Sequence, residues 1–204
     1  KALEVGIELM QDLKQQGYRI VATGEMGIGN TTTSSAVASV LLQKDPELVT
    51  GAGAGLDSAG LKRKTEAIRR GIGLHHPDPM DGMEVLQKVG GFDLAAMAGA
   101  FLGGAIYHVP VVIDGVIAAA AAAAAGRIAP AATDYMLAAH VSAEPASIWL
   151  LDLIGVTPAI QAGLRLGEGT GALALFPLLD MALSIYRDMD TFAEMEIEEY
   201  KPLM

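Results

Sequence analysis

Cysteine is absent from the 204-residue chain, which excludes a disulfide framework, a thiolate metal site and a thiol nucleophile. Positive charge is in short supply. Lys and Arg number 14 against 24 Asp and Glu, a formal net charge of −10. That balance excludes a surface built to grip nucleic acid or an anionic membrane, but it leaves room for a local basic pocket and a small anionic ligand. The N-terminus lacks the charged-then-apolar pattern of a secretory signal, so a soluble cytoplasmic protein is the expectation. Long hydrophobic runs are nearly missing as well. Residues 109–125 come closest, but Asp114 and Gly115 interrupt them, and the unbroken alanine tract from Ala118 to Ala125 forms helix readily while being weakly hydrophobic. A close-packed crossover helix is expected there in place of a membrane span.

What is present, 51% hydrophobic and 19% charged residues, is enough for one domain with a substantial core and too apolar for disorder. Leu3, Ile7, Met10 and Leu13 recur at helical spacing over residues 2–16, and residues 18–22 then form a β-favouring run. The alternation returns with a buried helix over residues 92–106 and a continuously apolar strand over 109–113, of the kind covered on both faces in a parallel sheet. Helices are also expected over residues 31–43, 61–72, 116–128, 146–154 and 171–187. The class is α/β, a mainly parallel sheet flanked by helices in a Rossmann-like three-layer arrangement. Trp149, Leu150, Leu153, Ile154 and most of the ten methionines are expected in the core. The acidic end from Glu194 to Glu199 reads as a solvated tail or terminal helix, and the start at Lys1, already inside a helical pattern, reads as a chain joined in progress.

Three glycine-rich loops carry the functional signal. The first, Gly24-Glu25-Met26-Gly27-Ile28-Gly29-Asn30-Thr31-Thr32-Thr33, lies between a strand and a helix, where α/β sheets bind ligands and where backbone N–H groups and a helix N-terminus favour phosphate. It matches neither the Walker loop nor the dinucleotide fingerprint. A tight turn with Asn30 or Thr31 capping the helix is the plainer alternative. The second, Gly51-Ala52-Gly53-Ala54-Gly55, leads to a basic helix on which Lys62, Glu66 and Arg70 read as an exposed ion-pair ladder. Lys64 differs, because it shares a face with Leu61, Ile68 and Ile72 near the helix start; an anionic partner and a snorkelling lysine both fit. The third, Leu166-Gly167-Glu168-Gly169-Thr170-Gly171, sets a carboxylate between glycines before a long helix. Thr170 is the natural cap, which leaves Glu168 open to a ligand, although Glu168 also complements the helix dipole.

The histidines are weaker leads. His75 and His76 lie near Asp78 without a second cluster, so no metal site is expected. His108 reads as structural, and His140 near Ser142 lacks the Gly-x-Ser-x-Gly elbow of a serine hydrolase.

Taken together, the first loop, the run Val89-Gly90-Gly91-Phe92-Asp93-Leu94, the segment 137–145 and Arg165-Leu166-Gly167-Glu168-Gly169-Thr170-Gly171-Ala172 resemble the nicotinate-nucleotide:dimethylbenzimidazole phosphoribosyltransferase family. The resemblance implies a large α/β domain over residues 1–190, N-terminally incomplete, with residues 191–204 as tail and the C-terminal helices joining a small helical domain. It implies a cytoplasmic homodimer, without cofactor, metal, nucleic acid or membrane partner, that transfers phosphoribose from nicotinate mononucleotide to a benzimidazole-type base. Glu168 falls on the general base of that family. Glu25, Gly27, Gly29, Lys64, Ser142 and Gly167 fall on substrate-binding positions. Transfer to another base such as adenine, or non-catalytic phosphate binding, are the alternatives. Two departures stand out: the alanine tract replaces a more varied helix, and Ala146-Ser147 stands where many relatives have Gly-His.

Overall fold

A computed structural model describes residues 1–53, 55–196 and 198. Helix α1 (Ala2–Gln15) leads to strand β1 (Val21–Ala22), then to α2 (Thr31–Leu42), the short α3 (Pro46–Val49), α4 (Ser58–His75), α5 (Gly82–Val89) and α6 (Phe92–Tyr107). Strand β2 (Val111–Ile113), α7 (Val116–Ile128), a 3-10 turn (Pro130–Tyr135), β3 (Met136–Ala138), α8 (Ser147–Leu153) and α9 (Thr170–Asp188) complete the described elements. The strands pair in parallel in the order β1-β2-β3, with Val21 beside Val111 and Val111 beside Met136.

Because strand side chains alternate between faces, the sheet serves two cores. Val111, Ile113, Met136 and Ala138 face the main core with α1, α2, α5, α6, α7 and α8. Val112 and Leu137 face the other way and meet Ala172, Leu175 and Phe176 of α9. Helices thus cover both faces of a parallel sheet, as the alternation of elements predicts.

Helix α7 explains how this much chain fits around so small a sheet. Ala118 to Ala125 are all buried, and α7 packs against α2, α5, α6 and α8. A helix apolar on every side is stable only when surrounded, and methyl side chains let the neighbours come close. A Cβ on Gly82 at the head of α5 would stand 2.3 Å from the Ala124 carbonyl. The same device joins α1 to α6: a Cβ on Gly6 would meet the Ala96 carbonyl at 1.9 Å, and one on Gly99 the Leu3 carbonyl at 1.9 Å. Among the described residues, no helix is long and apolar enough to cross a membrane.

Several expectations need correction. Helix α5 and strand β3 appear where no element was anticipated, and the β1 and β2 ladders are shorter than the apolar runs that contain them. The ladder of Lys62, Glu66 and Arg70 does not form; Arg69 instead gathers Glu66 (3.1 Å), Asp45 (3.1 Å) and Glu47 (3.5 Å), because α3 lies alongside α4. Most methionines are not core: Met10 and Met136 are buried, but Met26, Met80, Met83, Met181, Met189 and Met195 are exposed on loops, on α5 and on α9. Residues 192–196 form an exposed turn, while residues 197 and 199–204 lie outside the described residues.

Candidate active site

The three glycine loops converge at the carboxyl ends of the strands. The first leaves β1 and the third enters α9, and they lie directly on one another: the Glu168 N–H donates to the Glu25 carbonyl at 3.1 Å, and a Cβ on Gly24 would meet the Gly169 nitrogen at 2.4 Å. The second loop closes the opposite side, with Gly53 against Thr31. Between them lies a cavity whose wall includes Glu25, Gly27, Thr31, Gly53, Ser142, Glu144, Arg165 and Gly167, with Asp114, His140 and the start of α7 at its floor. An open groove adjoins it along Ala22 to Met26, Glu168, Gly169 and Leu173. Glu25 and Met26 belong to both and form the partition.

Of the residues singled out from sequence, Glu25, Gly27, Ser142 and Gly167 line the cavity, and Glu168 stands exposed in the groove. Glu25 folds its carboxylate back on its own loop, accepting from the Met26 N–H at 2.9 Å. Gly29 has a positive φ of 85° and open space around it, and it makes the turn into α2 without lining the cavity. Lys64 lies behind the wall. It does not snorkel: only 7% exposed, its ammonium donates to Thr31 Oγ1 and to the Gly51 carbonyl, each at 3.0 Å. Burial pushes its pKa below the ordinary lysine value, and the nearby Glu144 carboxylate opposes that shift.

The start of α2 has no side-chain cap. Asn30 turns its amide to Asp93 Oδ2 at 2.7 Å, so the first N–H groups of the helix are left without side-chain partners and α2 offers positive potential to an anion. Thr170 does not cap α9 either. Its hydroxyl donates to the Gly167 carbonyl at 2.7 Å, and Asp114 takes the capping role instead, accepting from Gly169 N–H at 3.0 Å and Ala172 N–H at 2.9 Å.

Asp114, His140, Glu144 and Arg165 were not picked out from sequence as site residues. Asp114 had a usable signal, since it immediately follows β2, and ligand sites of α/β sheets lie beyond strand carboxyl ends. His140 is 3% exposed with Nδ1 3.9 Å from Asp114 Oδ1. Burial holds its pKa below the ordinary imidazole value, and Asp114 pulls the other way. Ser142 Oγ accepts from the Glu144 N–H at 3.4 Å; among the described residues it makes no hydrogen bond to His140. No three His, Asp or Glu side chains among the described residues group so as to hold a metal ion.

Fold and site together define an α/β protein with a cavity walled by glycine loops at the carboxyl edge of a parallel sheet, and a carboxylate in a groove beside it. The sequence profile of the phosphoribosyltransferase family matches residues 1–197, and the chain belongs to that family. It is 49% identical over 203 residues to the nicotinate-nucleotide–dimethylbenzimidazole phosphoribosyltransferase of Ruminiclostridium cellulolyticum, spanning 100% of this chain and 58% of that one. With the enzyme of the same name from Clostridium acetobutylicum it shares 48%, again over 100% of this chain and 58% of the relative. The crystal structure of CobT from Thermus thermophilus superposes with a TM-score of 0.89 at 39% identity, covering 98% of this chain and 59% of that one. The chain thus spans a little over half the length of these relatives.

Proposed function

We propose that the protein carrying this chain transfers phosphoribose from nicotinate mononucleotide to 5,6-dimethylbenzimidazole, giving α-ribazole 5′-phosphate and nicotinate. The observation that carries the reading is the junction of two spaces, a glycine-walled cavity and an open groove, with Glu25 between them and Glu168 in the groove. The phosphoribosyl group occupies the cavity, its phosphate drawn by the start of α2 and by Lys64, with Gly27, Gly167 and Ser142 along its sides. The base lies in the groove beside Glu168.

A ring nitrogen of the base attacks C1′ opposite nicotinate. The new C–N bond forms as the old one breaks, the electron pair of the broken bond returns to the pyridine nitrogen, and the anomeric centre inverts. Positive charge on the attacked base acidifies its remaining N–H, and the Glu168 carboxylate accepts that proton. Holding two rings and a phosphate in line supplies much of the remaining acceleration.

In the same proposal, residues 1–190 form the large domain, α9 contributes to a small helical domain, and the protein works as a cytoplasmic homodimer. The names of the relatives support the substrates, and the apolar outer surface of α9 supports assembly.

The test is formation of α-ribazole phosphate from the two substrates by the full-length gene product, followed by Glu168→Gln. Loss of a positioned base is expected to lower the rate by on the order of 10²- to 10⁴-fold with melting temperature unchanged. A folded Glu168→Gln protein with near-normal turnover would refute the role of Glu168, and no product from the unaltered protein would refute the function.

A further inference from the structure

We infer that Asp114 is a positioning residue for Glu168: on the functional reading above, its carboxylate sets the backbone of the turn from which Glu168 reaches the base. Gly167, Glu168 and Gly169 have successive positive φ values of 77°, 60° and 82°. Glycine adopts that region freely, but Glu168 carries a Cβ that disfavours it, so the turn persists only where its surroundings hold it. The Glu168 carboxylate makes no hydrogen bond among the described residues, and the direction in which it leaves the chain is therefore a property of the backbone.

Three contacts fix that backbone. The Glu168 N–H donates to the Glu25 carbonyl at 3.1 Å, and Thr170 Oγ1 donates to the Gly167 carbonyl at 2.7 Å. The third contact comes from far along the chain: Asp114 Oδ2 accepts from Gly169 N–H at 3.0 Å and Oδ1 from Ala172 N–H at 2.9 Å. Helix α9 has no cap of its own, because Gly169 stands at the cap position without a side chain. Asp114 therefore supplies both the cap and the negative charge that the helix N-terminus favours.

Asp114 does not itself suit the role of substrate ligand. It is 2% exposed, and each of its oxygens already accepts from an amide of the turn or helix. Its seat is close-packed, since a Cβ on Gly171 would stand 2.0 Å from His140 Nδ1 and 2.9 Å from Asp114 Oδ1. We therefore place its effect on transfer in the turn that it holds.

The test is a double-mutant cycle on the full-length gene product with Asp114→Asn and Glu168→Gln. Asparagine keeps the shape but sets an N–H₂ against one of the two backbone donors. Misplacing a catalytic group by a fraction of an ångström to an ångström should lower kcat by on the order of 10- to 100-fold, with KM for nicotinate mononucleotide little changed. In the Glu168→Gln background the same change should alter kcat by no more than about twofold, because there is no longer a base to position. Asp114→Glu, which retains the charge but moves it by one methylene, should behave like Asp114→Asn and serves if that variant fails to fold. Equal loss of kcat in both backgrounds, or a loss confined to KM, overturns the inference and leaves the function standing. No transfer by the unaltered protein overturns both.

Discussion

Lys64 brings a full charge into a place nearly closed to water, and two neutral oxygens, those of Thr31 and Gly51, are its hydrogen-bond partners. An ammonium has three donors, and in the proposed function the third is the one that meets the phosphate. Lys64→Ala is expected to weaken nicotinate mononucleotide binding roughly 10- to 100-fold, the range for a hydrogen bond to a charged group, and to leave free nicotinate, which has no phosphate, unaffected. Calorimetric titration of both ligands decides, and equal loss for the two would remove the phosphate role. His140 makes a prediction about pH. Burial holds its folded-state pKa below the ordinary value of 6.5, so the unfolded chain binds the proton more readily. Stability is therefore unaffected by this group above about pH 6.5 and falls as the pH drops below it. His140→Gln should lose less stability between about pH 7 and about pH 5 than the unaltered protein, read as urea midpoints; equal losses would acquit His140. At this scale the sequence revealed residues whose type conflicts with their neighbours: Lys64 in an apolar stripe, and Glu168 between glycines. It concealed Asp114 and His140, because their meaning depends on partners brought from β2, β3 and α9, and nothing local marks that meeting.

Elements were legible where their period was long. The span of α7 matches the expected 116–128 at both ends, and α1, α2 and α6 agree to within a residue. Strand β3 was hidden because three residues are too few to show alternation, and α5 because a proline-rich turn precedes it. Its start was nonetheless written in the chain: Asp81 accepts from the Glu84 N–H at 3.0 Å, an acidic cap with a glutamate three residues on. For α7, the buried methyls predict intolerance of bulk. Ala121→Leu, at a position with no exposure, should cost roughly 1–3 kcal/mol by forcing neighbouring helices apart. Chemical denaturation measures this, and a stabilised variant would show that the packing is looser than described.

For the molecule as a whole, the uneven covering of the two sheet faces matters most. On the side of α9, Leu173, Met181, Ile185, Tyr186 and Met189 are exposed, and apolar exposure on this scale marks association where the side chains form one patch. Residues 1–204 produced alone should therefore sediment as dimers or larger species at micromolar concentration, and a stable monomer would count against the proposed assembly. The other side holds the alanine helix, and there the consequence concerns freedom of motion. Alanine has no side-chain torsion to lose on folding or to change afterwards. The start of α7, from Val116 to Ala118, forms part of the cavity floor, and the alanine tract behind it has no alternative rotamers to give the floor room. Adjustment to a ligand therefore falls to the loops and side chains above, over a base that behaves as a fixed anvil.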